Sequence, residues 1–291
     1  VNGFTFYHLR QQVVKYAGTT LGLLGPSAQL CPLCGKTAKS LSHKKLSAQQ
    51  APLGSLSPSF AKSLCRNCLA DIPWIYKVKC RICGRGAVCP DCIRRSDTAF
   101  VLNRSAVQYS EPMRELLAKY KYRGNETLAP YLGEMLLHPL AEMTRELSGR
   151  LGIRAGSPWS EIWHAITYVP VSSERAEERG FNQAEKLAVM VSQNTEIPLC
   201  HLLVRLRHSE KQSFKTRSAR MRDMNSLFAV RAGSMKQFLL MHNRRKECGA
   251  PRILLVDDIY TTGSTIQACA EALQKADTSP MDIYALTWAR S

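Results

Sequence analysis

Acidic residues are scarce in this 291-residue chain: 23 Asp and Glu stand against 40 Lys and Arg, a formal net charge of +17. That balance is not typical of an enzyme acting on small neutral metabolites. It favours a polyanionic partner, whether nucleic acid, an anionic membrane or a phosphorylated substrate, over a merely solvated basic surface. No run of eighteen apolar residues occurs, so no membrane span is expected, and no signal peptide is visible. The chain opens on Val1 rather than Met, so this silence about targeting weighs little. Two nucleotide-binding signatures are missing, G-x-x-x-x-G-K-[ST] and G-x-G-x-x-G. The seven histidines are scattered, and no Ser/His/Asp arrangement suggests a hydrolase.

Cysteine, by contrast, is abundant and ordered. Eight of the eleven cysteines form C-x-x-C pairs: Cys31/Cys34, Cys65/Cys68, Cys80/Cys83 and Cys89/Cys92. A C-x-x-C turn offers two thiolates to one metal, and two turns complete a tetrahedral site. Four pairs therefore suit two structural zinc ions. Pairing the first with the second and the third with the fourth gives a double zinc ribbon, although the spacing also permits an interleaved arrangement. A disulfide framework would need an oxidising compartment that nothing else in the chain supports. Cys200, Cys248 and Cys269 have no ligand-like spacing. Residues 36–63 separate the first two pairs with a Ser/Lys/Gln/Pro stretch that reads as an insertion. Around the later pairs Lys77, Lys79, Arg81, Arg85, Arg94 and Arg95 accompany Trp74 and Tyr76. Such a mixture can hold single-stranded DNA by charge and stacking; equally, Trp74 can fill the small core of a ribbon.

The most informative stretch is Ile253-Leu254-Leu255-Val256-Asp257-Asp258-Ile259-Tyr260-Thr261-Thr262-Gly263-Ser264-Thr265. Four apolar residues predict a buried strand, and residues 266–276 show helical periodicity. The loop between them suits a phosphorylated sugar. A helix N-terminus supplies N–H donors and partial positive charge. Gly263 allows close backbone approach, and Thr261, Thr262, Ser264 and Thr265 add hydroxyls. Asp257 and Asp258 suit ribose hydroxyls or a hydrated Mg2+.

Upstream, residues 100–109 predict a strand, residues 111–122 a helix, residues 128–147 a second helix, residues 149–160 a loop, and residues 166–171 another buried strand. That strand leads into a basic loop holding Arg175 and Arg179, whose guanidinium forks could clamp a diphosphate; the alternative is ion pairing with Glu174, Glu177 and Glu178 on a helix surface. Residues 205–222 carry Arg205, Arg207, Lys211, Lys215, Arg217, Arg220 and Arg222 against a single acid, Glu210. Residues 282–288 predict a last strand. The expected fold class is α/β, a mostly parallel sheet flanked by helices with ligands at the carboxyl ends of its strands. The expected division is a leader at 1–30, a zinc module at 31–95 and an α/β domain at 96–291.

The acid pair and its loop resemble the phosphoribosyl-diphosphate (PRPP) motif of type I phosphoribosyltransferases. That resemblance implies that Asp257 and Asp258 contact the ribose and that Thr261, Thr262, Gly263, Ser264 and Thr265 hold the 5′-phosphate. Residues 205–222 are similar to the loop that closes over the diphosphate, a role compatible with nucleic-acid contact. Val169-Pro170-Val171, Arg179-Gly180-Phe181-Asn182-Gln183, Arg222-x-x-Asn225 followed by Phe228, Lys121-Tyr122-Arg123-Gly124 and the paired cysteines resemble the ComF family from residue 31 onward. The chain departs from it in two insertions, 36–63 and about 232–250.

The resemblance implies a type I phosphoribosyltransferase-like domain joined to a zinc ribbon. One branch, ComFC-like, serves competence, the uptake of DNA in natural transformation; another, GntX-like, is linked to gluconate use. The first branch implies a cytoplasmic protein, peripheral to the membrane, that works with other DNA-uptake proteins at the membrane's inner face. It would bind single-stranded DNA through Lys77, Lys79, Arg81, Arg85, Arg207, Lys211, Arg217, Arg220 and Arg222, and PRPP with Mg2+ through the acid pair, the loop, Arg175 and Arg179. The alternative is a working phosphoribosyltransferase in salvage or sugar metabolism, with Asp257, Asp258 and Arg179 as catalytic residues.

Overall fold

Four of the strands gather into one parallel sheet. The computed structural model describes residues 30–37, 52, 54–93, 97–122, 124–154, 156–206, 227–244 and 249–291. Strands β1 (Leu102–Gln108), β2 (Ala165–Tyr168), β5 (Arg252–Tyr260) and β6 (Asp282–Arg290) lie in the order β1-β6-β5-β2, with every neighbouring pair parallel. The stretch 253–256 of β5 reads as a continuous apolar run and is fully buried, as in a sheet covered on both faces, whereas β1 buries the polar Asn103, Arg104 and Ser105 as well. All of β2 is buried, and all of β6 beyond its first residue. The α/β class expected from the sequence holds.

Three helices are short and belong to the cysteine-rich module: α1 (Pro58–Ser63), α2 (Arg66–Ala70) and α3 (Pro90–Ile93). The rest dress the sheet: α4 (Glu111–Tyr122), α5 (Ala129–Met135), α6 (Leu137–Leu151), α7 (Ser173–Arg179), α8 (Gln183–Thr195), α9 (Ser234–Arg244) and α10 (Ser264–Lys275). Helix α8 packs on β2 and β5, α5 packs on α8, and α6 packs on β1. Trp163 and Trp288 are wholly buried; Trp163 meets Tyr284 edge-on and donates to Thr144 Oγ1 at 2.8 Å. A separate hairpin pairs β3 (Leu203–Arg205) with β4 (Phe228–Val230), antiparallel and packed on α10.

Several boundaries differ from the sequence reading. The helix expected over 128–147 is two helices meeting at Leu136. Pro139 has no N–H for the carbonyl four residues earlier, so the helical ladder cannot run through unbroken. The second helix then continues into the expected loop and stops at Gly152, whose φ is +67°. Strand β2 ends before Pro170. The expected basic loop after it is the helix α7, closed by Gly180 and followed by α8, whose Asn182 cap accepts from the Glu185 N–H at 3.2 Å. The insertion expected near 232–250 carries α9.

The cysteine-rich module is joined to the outer edge of β1. Trp74 bridges Val107, the Ile75 N–H donates to Ala106 O at 3.0 Å, and the Gln108 N–H donates to Pro73 O at 2.9 Å. Asn103 N–H donates to Ile82 O at 2.7 Å. The segment thereby occupies backbone groups that an edge strand would leave exposed to other chains. The expected leader up to residue 29, residues 38–51 of the first insertion, Arg94, Arg95, Arg123 and residues 207–226 lie outside the described residues. Among the described residues, no helix is long and apolar enough to cross a membrane.

Candidate functional site

Strand β5 aims the acid pair. Ile253 to Val256 are fully buried, so the backbone is fixed up to the carboxylates. Neighbours in an extended strand send their side chains to opposite faces, and the two acids meet different partners. Asp258 is buried and accepts from Lys121 Nζ, at the end of α4, at 2.8 Å. Asp257 Oδ1 accepts the Asp258 N–H at 2.8 Å. Burial, and then the Asp258 charge, push the Asp257 carboxyl up to about 8, against the pull of Lys121 and of that N–H. The residue keeps some exposed surface, and access of water moderates the rise. On α10, burial and then Asp257 push the Cys269 thiol up as well. The site thus holds one paired carboxylate and one poised near neutrality.

Beyond Tyr260 the chain turns through Thr261, Thr262 and Gly263 into α10. Gly263 has φ +80°, and a Cβ there would overlap the Tyr260 ring, so glycine is required by conformation and by space. Thr262 Oγ1 and Ser264 Oγ are 3.0 Å apart, and the Ser264 N–H approaches Thr262 Oγ1 at 3.4 Å. Thr261 and Thr262 are exposed, with Ser264 and Thr265 half-buried. This places hydroxyls and the amides of a helix N-terminus along one short loop, a donor set for an anion.

Arg175 and Arg179 lie one turn apart on α7. Arg179 Nη1 donates to Gln183 Oε1 at 2.9 Å, and its guanidinium stands 5.2 Å from the centre of the Tyr122 ring. Arg205, on β3, is held down by burial first and by the nearby Arg175 charge second. The last turn of α4 therefore touches both parts of the candidate site, Lys121 reaching Asp258 and Tyr122 reaching Arg179. The sequence reading placed Lys121-Tyr122 in a family motif without assigning it a partner. The Lys121–Asp258 contact spans 137 residues, and no local pattern could reveal it.

The eight paired cysteines gather into two groups, Cys31/Cys34/Cys65/Cys68 and Cys80/Cys83/Cys89/Cys92, with the sulfurs of each group within 4.8 Å of one another. The arrangement is sequential rather than interleaved. No disulfide forms among them. Cys34 Sγ and Cys65 Sγ are 3.7 Å apart. With Zn–S bonds near 2.3 Å, the edge of a tetrahedral site is about 3.8 Å, so the donor set fits zinc. Burial and then neighbouring thiols push Cys68 and Cys92 up, whereas the burial of Cys31 is outweighed by hydrogen bonds from the backbone of Cys65 and Cys34, which bring it down to about 7. The knuckles differ in their surroundings. Gly35 is open, whereas a Cβ on Gly84, which has φ +73°, would lie 2.6 Å from Asn103 O on β1. The second group is consequently tied closely to the sheet.

Trp74 is buried, edge-on to His138 at 6.0 Å; of the two readings the sequence left open, it fills the core. Tyr76 is 47% exposed, and it stands in an extended run with Lys77, Val78 and Lys79, all exposed. Arg81 is exposed, while Arg85 donates to Ser291 O at 2.7 Å. Arg207, Lys211, Arg217, Arg220 and Arg222 fall outside the described residues. No sequence pattern pointed to a cavity of about 810 Å3 at the edge of β2, where Tyr168 Oη lies 3.0 Å from Glu185 Oε1 and 2.8 Å from His201 Nδ1.

A sheet ending in an acid pair and a hydroxyl loop, joined to two four-cysteine groups, defines an α/β protein with an anion-type site beside metal-type centres. The similarity to known proteins agrees with the resemblance read from the sequence. The chain is 29% identical over 221 residues to competence protein ComFC of Bacillus subtilis, covering 73% of this chain and 78% of that one. It is 24% identical over 261 residues to competence protein ComFC of Streptococcus pneumoniae, covering 88% and 98%. It is 26% identical over 250 residues to DNA utilization protein YhgH of Salmonella typhimurium, covering 77% and 94%. No family model matches the chain.

Proposed function

We propose that the protein is a competence-type adaptor that binds single-stranded DNA on the basic, Tyr76-bearing side of its cysteine-rich module and PRPP with Mg2+ at the end of β5. The observation that carries this reading is the Asp257-Asp258 pair followed directly by the Gly263 turn and the start of α10. That order supplies carboxylate acceptors for ribose hydroxyls or hydrated Mg2+ and N–H and hydroxyl donors for a phosphate within one short segment. The similarity to proteins named for competence and DNA utilization supports the DNA side. In this reading the protein works in the cytoplasm, at the inner face of the membrane, with other DNA-uptake proteins. Zinc in the two four-cysteine groups is structural, since closed thiolate sites leave no open position for a substrate.

The placing of Arg175 and Arg179 one turn apart on α7, with Tyr122 of α4 against Arg179 and Lys121 against Asp258, favours a second reading, a phosphoribosyltransferase in which Arg175 and Arg179 with Mg2+ would stabilise the departing diphosphate while Asp257 and Asp258 hold the ribose. One experiment separates the two. Fluorescence anisotropy with a labelled oligonucleotide, single- or double-stranded, is recorded with and without PRPP and Mg2+, and diphosphate release is followed in the same samples. Preferential single-strand binding at low salt, weakened as salt rises, supports the adaptor. Failure to bind any DNA at low salt removes its main support, and steady diphosphate release with a nucleobase acceptor moves the transferase ahead.

A further inference from the structure

Arg290, the last residue of β6, is 5% exposed. Its Nη1 donates to Thr261 O at 2.9 Å, to Tyr260 O at 3.2 Å and to Ser291 O. Its Nη2 donates to Cys83 Sγ at 3.3 Å, and the guanidinium carbon stands 4.8 Å from the centre of the Tyr260 ring. One side chain therefore joins the first residue of the hydroxyl loop, the ring beneath Gly263 and a sulfur of the second four-cysteine group.

Charge makes this link more than a packing contact. Arginine stays protonated, and a buried guanidinium is costly unless a counter-charge offsets it. Among the described residues no Asp or Glu carboxylate lies within 4 Å of Arg290. Its hydrogen-bond acceptors are the Tyr260 and Thr261 carbonyls, an oxygen of Ser291 that it shares with Arg85, and Cys83 Sγ, so the four-cysteine group is one contributor to offsetting its charge rather than the whole of it. A neutral thiol is a poor acceptor. Four thiolates around Zn2+ carry a net charge of about −2, and hydrogen bonds to metal-bound ligands orient them and tune the metal. A buried polar chain follows the same route: Asn103 Nδ2 donates to Cys83 O at 3.0 Å, and Thr287 Oγ1 donates to Asn103 Oδ1 at 3.2 Å, with Thr287 in register with Asp257.

We propose that Arg290 is a positioning residue that fixes the 261–265 loop against the charge of the second zinc–thiolate group, so that metal in that group sets the shape of the anion site. The link itself stands on the geometry; its consequence for PRPP rests on the function proposed above.

Hydrogen–deuterium exchange on the full zinc-loaded chain tests the link without PRPP. Wild type, Arg290→Met and Arg290→Lys are compared, with zinc content measured in each and peptides from α8 as the internal control. In wild type, chelator taken to the point where peptides holding Cys80, Cys83, Cys89 and Cys92 lose protection should speed exchange at 261–265 about fivefold while α8 stays unchanged. Arg290→Met should show the faster loop with both zinc ions bound. Arg290→Lys keeps the charge but cannot span sulfur and carbonyls as a fork, so it should hold both zinc ions and still leave the loop faster than in wild type. Equal loop exchange in zinc-loaded wild type and Arg290→Met, or a loop indifferent to zinc removal, overturns the proposal. Calorimetry with PRPP and Mg2+ is read separately. No binding by wild type counts against the functional reading alone, whereas wild-type binding weakened at least tenfold in Arg290→Met supports both.

Discussion

Removing the charge at Lys121 asks whether α4 holds the acid pair in place. Lys121 Nζ stands 2.8 Å from Asp258 Oδ1, with side chains 17% and 10% exposed. At an effective dielectric near 20, unit charges 4 Å apart attract by about 4 kcal/mol. Desolvation and residual solvent access take back part of this, leaving an expected coupling of roughly 2–3 kcal/mol. Lys121→Met should destabilise by about 3 kcal/mol, because it leaves a buried carboxylate beside Asp257 without its cation. Asp258→Asn should cost less, about 1–2 kcal/mol, since it also removes the like charge from Asp257. The double variant should then fall short of the sum by about 2–3 kcal/mol. Urea unfolding at pH 7 with zinc present measures all four proteins. Additivity within about 0.5 kcal/mol would refute the reasoning. The pH dependence gives an independent check. The Asp257 proton is bound more tightly in the folded than in the unfolded chain, so its contribution to stability is present below the ordinary 3.8 and is lost as pH climbs to about 8. In Asp258→Asn that loss should finish at lower pH, and an unchanged profile would contradict the assigned cause.

Three further outcomes are expected. Protein purified without chelator should carry two zinc ions per chain by elemental analysis, and a chain that is folded and metal-free would remove both centres. Trp74→Ala should lower stability by about 3–5 kcal/mol in urea titration, because it empties a buried site, whereas Tyr76→Ala should leave the unfolding midpoint unchanged and weaken single-strand binding by roughly 1–3 kcal/mol at every salt concentration. Gly84→Ala should cost about 2 kcal/mol or more, since a side chain there is strained at φ +73° and meets Asn103 O; an unchanged melting temperature would mean that the second knuckle and β1 are not tightly joined.

What the sequence made legible was local. The acid pair, its loop and the C-x-x-C pairs each lie within a dozen residues, and strand, turn and helix each leave their own periodicity. Helix α4 matches its expected span, residue for residue. Where the helix expected over 128–147 is divided into α5 and α6, the cause is local as well, the missing N–H of Pro139. The partners of site residues stayed hidden for a different reason. Lys121 reaches Asp258 only because α4 returns over the sheet, and Arg290 reaches Thr261 only through the pairing of β5 with β6. Trp74 shows the limit plainly: beside lysines it fits a stacking platform, but contact with Val107 and His138 decides that it is buried.

The strand order also governs how the molecule is assembled. Strand β6 lies between β1 and β5, yet it follows both in the chain, so the sheet stays split until its central member arrives. During synthesis β1 and β5 each wait with one unpaired edge, and the contacts of β6 with β1 are among the most distant in sequence, which slows folding and exposes sticky edges. The cysteine-rich module emerges earlier and already shields the other edge of β1. Its early metallation would therefore guard the nascent chain, and zinc starvation should first be felt as aggregation of newly made protein, before any loss of the mature form.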